Sequence, residues 1–189
     1  VLRVDDRGVG GSKGNPESCT SEDFAGDVLA GVAYLCARKD ISSVGLCGHS
    51  EGGLIAPMAA VKSDRIVFIV LMAGPGVTGE EILLAQSALI SRAGGIPEET
   101  VAKNLQVSRR IYKALREEKD PEKTIREIAG EAKDESERAM REAQWKMLLS
   151  PWFKFFLTYD PRATLKKVAC PVLAINGEKD LQVPCAENL

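Results

Sequence analysis

Residues 48–52 read Gly48-His49-Ser50-Glu51-Gly52, a G-x-S-x-G pentapeptide between a short apolar run (Val44, Leu46, Cys47) and a segment of helical pattern from Leu54 to Lys62. No other stretch restricts the fold so tightly. A sharp turn from strand to helix leaves little room for side chains at its flanks, so glycines sit there, and the serine hydroxyl is lifted above the sheet within reach of an acyl carbon. The turn also leaves the Glu51 backbone N–H at a helix N-terminus, aimed at the oxygen that becomes negative when Ser50 attacks a carbonyl. A chance match is the competing reading, and the strand before and helix after weigh against it. The pattern predicts a positive or strained φ at Ser50.

A serine nucleophile needs a base, and the chain holds one histidine. That residue, His49, leaves the backbone beside the nucleophile, so its ring points elsewhere on the turn and a structural role outweighs that of general base. The sequence opens Val1-Leu2-Arg3-Val4 without a methionine and stops at Ala186-Glu187-Asn188-Leu189 in the pattern of an opening helical turn. The expectation is of a fragment lacking both ends, with the base outside it.

With 44% hydrophobic and 28% charged residues, the 189-residue chain can bury a core. A net charge of -2 gives no electrostatic reason to expect nucleic acid or an anionic membrane as a partner. The longest apolar run, Ile66 to Ala73, is too short to span a bilayer. Cys19, Cys36, Cys47, Cys170 and Cys185 lack C-x-x-C spacing and partner histidines, so no metal is expected and the thiols read as reduced and buried. The compartment stays open.

Strand and helix patterns alternate at first. Val1–Val4 reads as a strand, followed by a polar glycine loop from Gly8 to Pro16. Lys13 in that loop stands where either phosphate-binding glycine pattern needs glycine, which argues against a nucleotide site. Thr20 with Asp23 opens a helix whose Phe24, Val28, Val32 and Leu35 share a face. A strand at Ser43–Cys47, the Ser50 turn, the helix to Lys62 and the apolar strand Ile66–Met72 come next. Apolar strands alternating with amphipathic helices predict an α/β protein with a parallel sheet and helices on both faces.

From Gly76 to Leu157 the pattern is helical only, with segments at Glu80–Ser91, from Pro97, from Pro121 and at Asp134–Leu149. The charge-dense stretch Arg116–Arg141 reads as the solvated side of these helices. After Pro161 the α/β pattern returns, with a helix at Ala163–Lys167, a strand at Pro171–Ile175 and the loop Asn176-Gly177-Glu178-Lys179-Asp180 at its C-terminal end. The division expected is a core in residues 1–76, a helical cap insertion in 77–160 and the rest of the core in 161–189. A cap useful for excluding water would pack over the strand ends near Ser50.

Together the Ser50 pentapeptide, the Asp5-Asp6-Arg7-Gly8 loop with Gly10 and Ser12, and Pro171 to Asp180 followed by Val183-Pro184 resemble α/β-hydrolases. The likeness is to bacterial carboxylesterases related to serine aminopeptidase-like and dienelactone hydrolase-like proteins. It implies a partial α/β-hydrolase fold, with Ser50 matching the nucleophile and Asp180 the acid that orients the histidine. A turn-forming role for Asp180 stands beside that one. The resembled proteins carry a His-Gly oxyanion loop after an earlier strand and a catalytic histidine after the last; neither is found here.

Trp152, Phe153, Phe155, Phe156 and Tyr159 cluster where the insertion rejoins the core. They read equally as packing of cap on sheet or as an apolar acyl pocket built by Trp152, Phe153 and Phe156. Three functions stay open: ester hydrolysis through an acyl-enzyme on Ser50 with a small-molecule substrate and no cofactor, amide or peptide hydrolysis by the same groups, and a non-catalytic protein that binds through its helical insertion.

Overall fold

The computed structural model describes residues 1–130 and 132–189. A short 3-10 turn at Pro16–Ser18 leads into α1 (Ser21–Cys36), β1 (Val44–His49), α2 (Gly52–Ala60) and β2 (Ile66–Met72). Five helices follow: α3 (Gly79–Ala93), α4 (Glu98–Glu117), α5 (Pro121–Ala129), α6 (Glu135–Leu148) and α7 (Pro151–Thr158). Then come α8 (Arg162–Leu165), β3 (Val172–Ile175) and α9 (Cys185–Asn188).

The strands form a parallel sheet in the order β1-β2-β3. Its register pairs His49 with Met72 and Met72 with Ile175, so all three C-terminal ends finish level at one edge. Side chains alternate between faces, apart from a register shift between Val44 and Gly45, which pair with Ile66 and Phe68. One face carries Val44, Ile66, Ile69 and Leu71, which pack with Val32 of α1 and Ala56 and Ala59 of α2. Ile69 is completely enclosed, and burying such a side chain contributes about 1.5–3 kcal/mol. On the other face Phe68, Met72, Leu173 and Ile175 are exposed.

Local chemistry fixes the helix starts. Asp23 Oδ2 accepts from the Thr20 backbone N–H at 2.8 Å and so caps α1. Glu81 Oε2 accepts from the Thr78 N–H at 2.8 Å, closing a capping box on α3. Asp134 Oδ1 takes the Glu137 N–H (2.8 Å) at α6, and Ser150 Oγ takes the Phe153 N–H (3.1 Å) at α7. The helices between β2 and β3 share a core of Leu115, Ile125, Leu148, Phe153 and Leu157. Their charged side is solvated as expected, with Glu122–Arg126, Glu135–Arg138 and Glu137–Arg141 paired along it. Within this stretch Glu131 lies outside the described residues.

The structure differs from the sequence reading in several places, among them α7, a fifth helix between β2 and β3 where the reading had four. Val1–Val4 is exposed and forms no strand. A strand needs a ladder partner, and no described residue supplies one to this run. β1 runs on through Gly48 and His49, because the Ser50 N–H still donates to the Met72 C=O (2.9 Å). The following helix starts at Gly52 rather than Leu54, directly after the turn. All five cysteines are free, but only Cys19 is buried; Cys36, Cys170 and Cys185 are half-buried, and Cys47 is exposed, since it lies on the sheet face that α1 and α2 leave open. No helix among the described residues is long and apolar enough to cross a membrane.

Candidate active site

Ser50 adopts φ 53° between the end of β1 and the start of α2. A left-handed conformation costs a residue with a β-carbon roughly 1–2 kcal/mol, and here neighbouring backbone holds it in place. The Ser50 N–H is tied to Met72, and its C=O accepts from the Gly53 N–H at 2.8 Å. A β-carbon on Gly48 would lie 2.0 Å from the Gly52 C=O oxygen, so the turn closes only over glycine at that position. At Gly52, the pentapeptide's second glycine, an added β-carbon meets nothing within 4 Å. The steric demand falls instead on Gly53, which approaches the Gly74 Cα.

Leu54 and Ile55 N–H groups both donate to the Glu51 C=O (2.8 and 3.1 Å), which starts α2. Among the described residues, the Glu51 and Gly52 N–H groups find no acceptor. Unclaimed N–H groups at a helix N-terminus beside a serine hydroxyl are the arrangement that stabilises a developing oxyanion.

The Glu51 side chain reaches α1 and α7. Its Oε1 accepts from Ser21 Oγ of α1 and from Trp152 Nε1 of α7, each at 2.6 Å. Ser21 is 0% exposed and was not singled out from the sequence, where nothing marks a serine in a helix's first turn as the partner of a distant glutamate. Trp152 stacks on Phe156 with ring centroids 5.6 Å apart and planes 10° from parallel. Phe155, Phe156 and Tyr159 pack against Ala25, Leu54 and Met58, which seats α7 on α1 and α2. Burial pushes the Tyr159 phenol up, with the hydrogen bond to Thr164 working against that shift. Phe153 lies elsewhere: at 4% exposed it belongs to the core shared by α4 to α7.

Asp180 lies in the loop after β3, at the same sheet edge as Ser50. β1 and β3 flank β2, so their axes stand about 10 Å apart. Asp180 Oδ1 accepts from the Gln182 and Val183 N–H groups (2.8 and 3.0 Å), and Oδ2 receives no donor from the described residues. The turn role and a free carboxylate oxygen therefore coexist in this side chain. Asn188 Oδ1 of α9 accepts from the Gly76 N–H at 2.7 Å, which fastens the loop after β2 to the same edge.

His49 is exposed at the last position of β1, on the face it shares with Met72 and away from α1 and α2. The glycine loop is held by Arg7, whose guanidinium pairs with Asp27 of α1 (Nη2 to Oδ1, 2.8 Å) and reaches Cys19 Sγ at 3.3 Å. Hydrogen bonding to Asp27 raises the Arg7 pKa further above its ordinary value. No cluster of three potential metal ligands among His, Cys, Asp and Glu occurs among the described residues.

A family profile described as serine aminopeptidase, S33, matches residues 1–187. Over 173 residues the chain is 27% identical to a protein described as Esterase EstD from Thermotoga maritima, a match that takes in 90% of this chain and 35% of that relative. The chain thus spans little more than a third of the length of the curated relative it matches.

Proposed function

The chain belongs to the serine aminopeptidase (S33) family and has part of an α/β-hydrolase fold, and we propose that it cleaves carboxylic esters through an acyl-enzyme on Ser50. The observation that carries this reading is the left-handed Ser50 beside the unclaimed Glu51 N–H. The likeness to an esterase favours esters over other acyl compounds.

In this mechanism Ser50 Oγ attacks the acyl carbon and its proton passes to an imidazole. The Glu51 N–H donates to the oxygen as it becomes negative, and the tetrahedral intermediate collapses with release of the alcohol. Asp180, through Oδ2, orients that imidazole and stabilises its charged form. His49 faces away, so the imidazole comes from outside residues 1–189. Water then attacks the acyl-enzyme with the same imidazole as base. The helices in residues 77–160 act as a cap over the strand ends, excluding water, and Trp152 and Phe156 offer an apolar wall to the acyl group. Phe153 supports that wall from behind. The substrate is a small-molecule ester and no cofactor takes part.

The same groups would cleave an aminoacyl amide, and the family's description favours that second reading. The test is to express the full open reading frame that encodes this chain and compare short p-nitrophenyl esters with aminoacyl p-nitroanilides. Ester turnover should prevail, and Ser50→Ala should lower it by at least about 10³-fold, with Asp180→Ala also strongly impaired. Preference for the anilides would select the amide reading. Activity unaffected by Ser50→Ala would overturn both and leave a binding protein that uses its helical insertion.

A further inference from the structure

Glu51 joins three parts of the molecule through one residue. Its backbone begins α2 and presents the N–H that the hydrolase reading assigns to the oxyanion. Its carboxylate oxygen Oε1 is shared by Ser21, the fully enclosed first residue of α1, and Trp152 in the second position of α7. Both partners are donors here, and the indole N–H can only donate. The negative charge sits at the N-terminus of the 16-residue α1, where the helix dipole favours it. A carboxylate next to an oxyanion would ordinarily oppose the charge forming there. Here its Oε1 is engaged by the donors of Ser21 and Trp152.

Trp152 reaches the site from the far end of the chain segment between β2 and β3. Its ring stacks on Phe156, and the Phe156 C=O oxygen packs so near Gly79 that a β-carbon there would lie 2.2 Å away. A shift of α7 would therefore carry with it the Trp152 N–H that Glu51 accepts.

We propose that Glu51 is a positioning residue whose side chain clamps the helical insertion to α1, so that the seating of α7 sets the direction of the Glu51 N–H at the reacting oxygen. This rests on the hydrolase reading. The charge of Glu51 is secondary to its two accepted hydrogen bonds. Glutamine keeps a carbonyl oxygen at the same reach and alanine does not.

The experiment compares Trp152→Phe, Glu51→Ala, Glu51→Gln and the double variant Glu51→Ala/Trp152→Phe in the full open reading frame, with kcat and KM measured on a p-nitrophenyl ester. Trp152→Phe keeps the stacked ring, loses the N–H, and should lower kcat about tenfold with KM nearly unchanged, as expected for small misplacement of an oxyanion donor. Glu51→Ala should cost more, Glu51→Gln should recover most of that loss, and the double variant should be no worse than Glu51→Ala, because one contact is removed twice. Independent effects in the double variant, or a Glu51→Gln as impaired as Glu51→Ala, would overturn the clamp.

Amide hydrogen exchange keeps the outcome separate from the hydrolase assignment. Even in a protein without esterase activity, Trp152→Phe should speed exchange in residues 151–158 and at Glu51 to Gly53 together. Faster exchange in α7 with no change at Glu51 to Gly53 would refute the coupling.

Discussion

Gly53 and Gly74 meet backbone to backbone: a β-carbon built on Gly53 would lie 2.4 Å from the Gly74 Cα. The contact joins the first turn of α2 to the segment leaving β2, and it holds the serine turn against the sheet's edge. Gly53→Ala must push these segments apart and should destabilise by more than about 2 kcal/mol, within the range for overpacking a tight interior. Gly52→Ala has open space and should be neutral or stabilising by up to about 1 kcal/mol, since alanine is the better helix former. Urea unfolding of the two variants tests the contrast, and a destabilised Gly52→Ala would contradict it.

Among the described residues, Ala73 is the other one with a β-carbon in the left-handed region, at φ 47°, and its N–H donates to the Ile175 C=O at 2.8 Å. Glycine adopts that conformation without the steric cost, although it also makes the unfolded chain more flexible. Ala73→Gly should therefore leave the melting temperature unchanged or raise it. Ala73→Val, branched at the β-carbon, should lower stability by about 1–2 kcal/mol.

Phe153 and Phe156 are close in sequence but differ in what they touch. Phe153→Ala should empty part of the core among α4 to α7 and cost about 3–5 kcal/mol. Phe156→Ala removes the ring on which Trp152 stacks, so its main effect should appear in KM for longer acyl esters. Equal losses of stability in the two variants, with no change in KM for Phe156→Ala, would argue against an acyl wall.

The Glu81 carboxyl is held below its usual pKa by donation from the Thr78 hydroxyl and N–H. A lowered folded-state pKa means stability that is present above the unfolded value of about 4.3 and lost as pH falls through the folded one. Glu81 is half-exposed, so the contribution is no more than about 1 kcal/mol after screening. Acid titration by circular dichroism should show the native protein more stable than Glu81→Gln at neutral pH, with the difference shrinking below about pH 4. A gap that widens on acidification would reverse the sign.

Much of this was legible along the chain. The pentapeptide at Gly48–Gly52 announced a strand-turn-helix with Ser50 strained at its tip, because the close approach that requires Gly48 comes from Gly52, a few residues on. Thr20 and Asp23 marked the start of α1 for the same reason, since a cap acts within one turn, whereas the caps of Glu81, Asp134 and Ser150 became visible only in the structure. The run Val1–Val4 has the composition of a strand and forms none, because strand formation depends on a neighbour that local sequence does not name.

The sequence by itself determined the serine turn, the helical stretch between β2 and β3 and the capping of α1, all set by contacts within a few residues. Only the tertiary structure decided that Gly53 is the crowded glycine, that Phe153 faces a helical core and Trp152 faces Glu51, and that Ser21 shares the same carboxylate oxygen. Glu51 lies 30 residues from Ser21 and 101 from Trp152, and Gly53 is likewise far in sequence from Gly74. Their partners are chosen by how helices and sheet pack in space, and no local pattern encodes that choice.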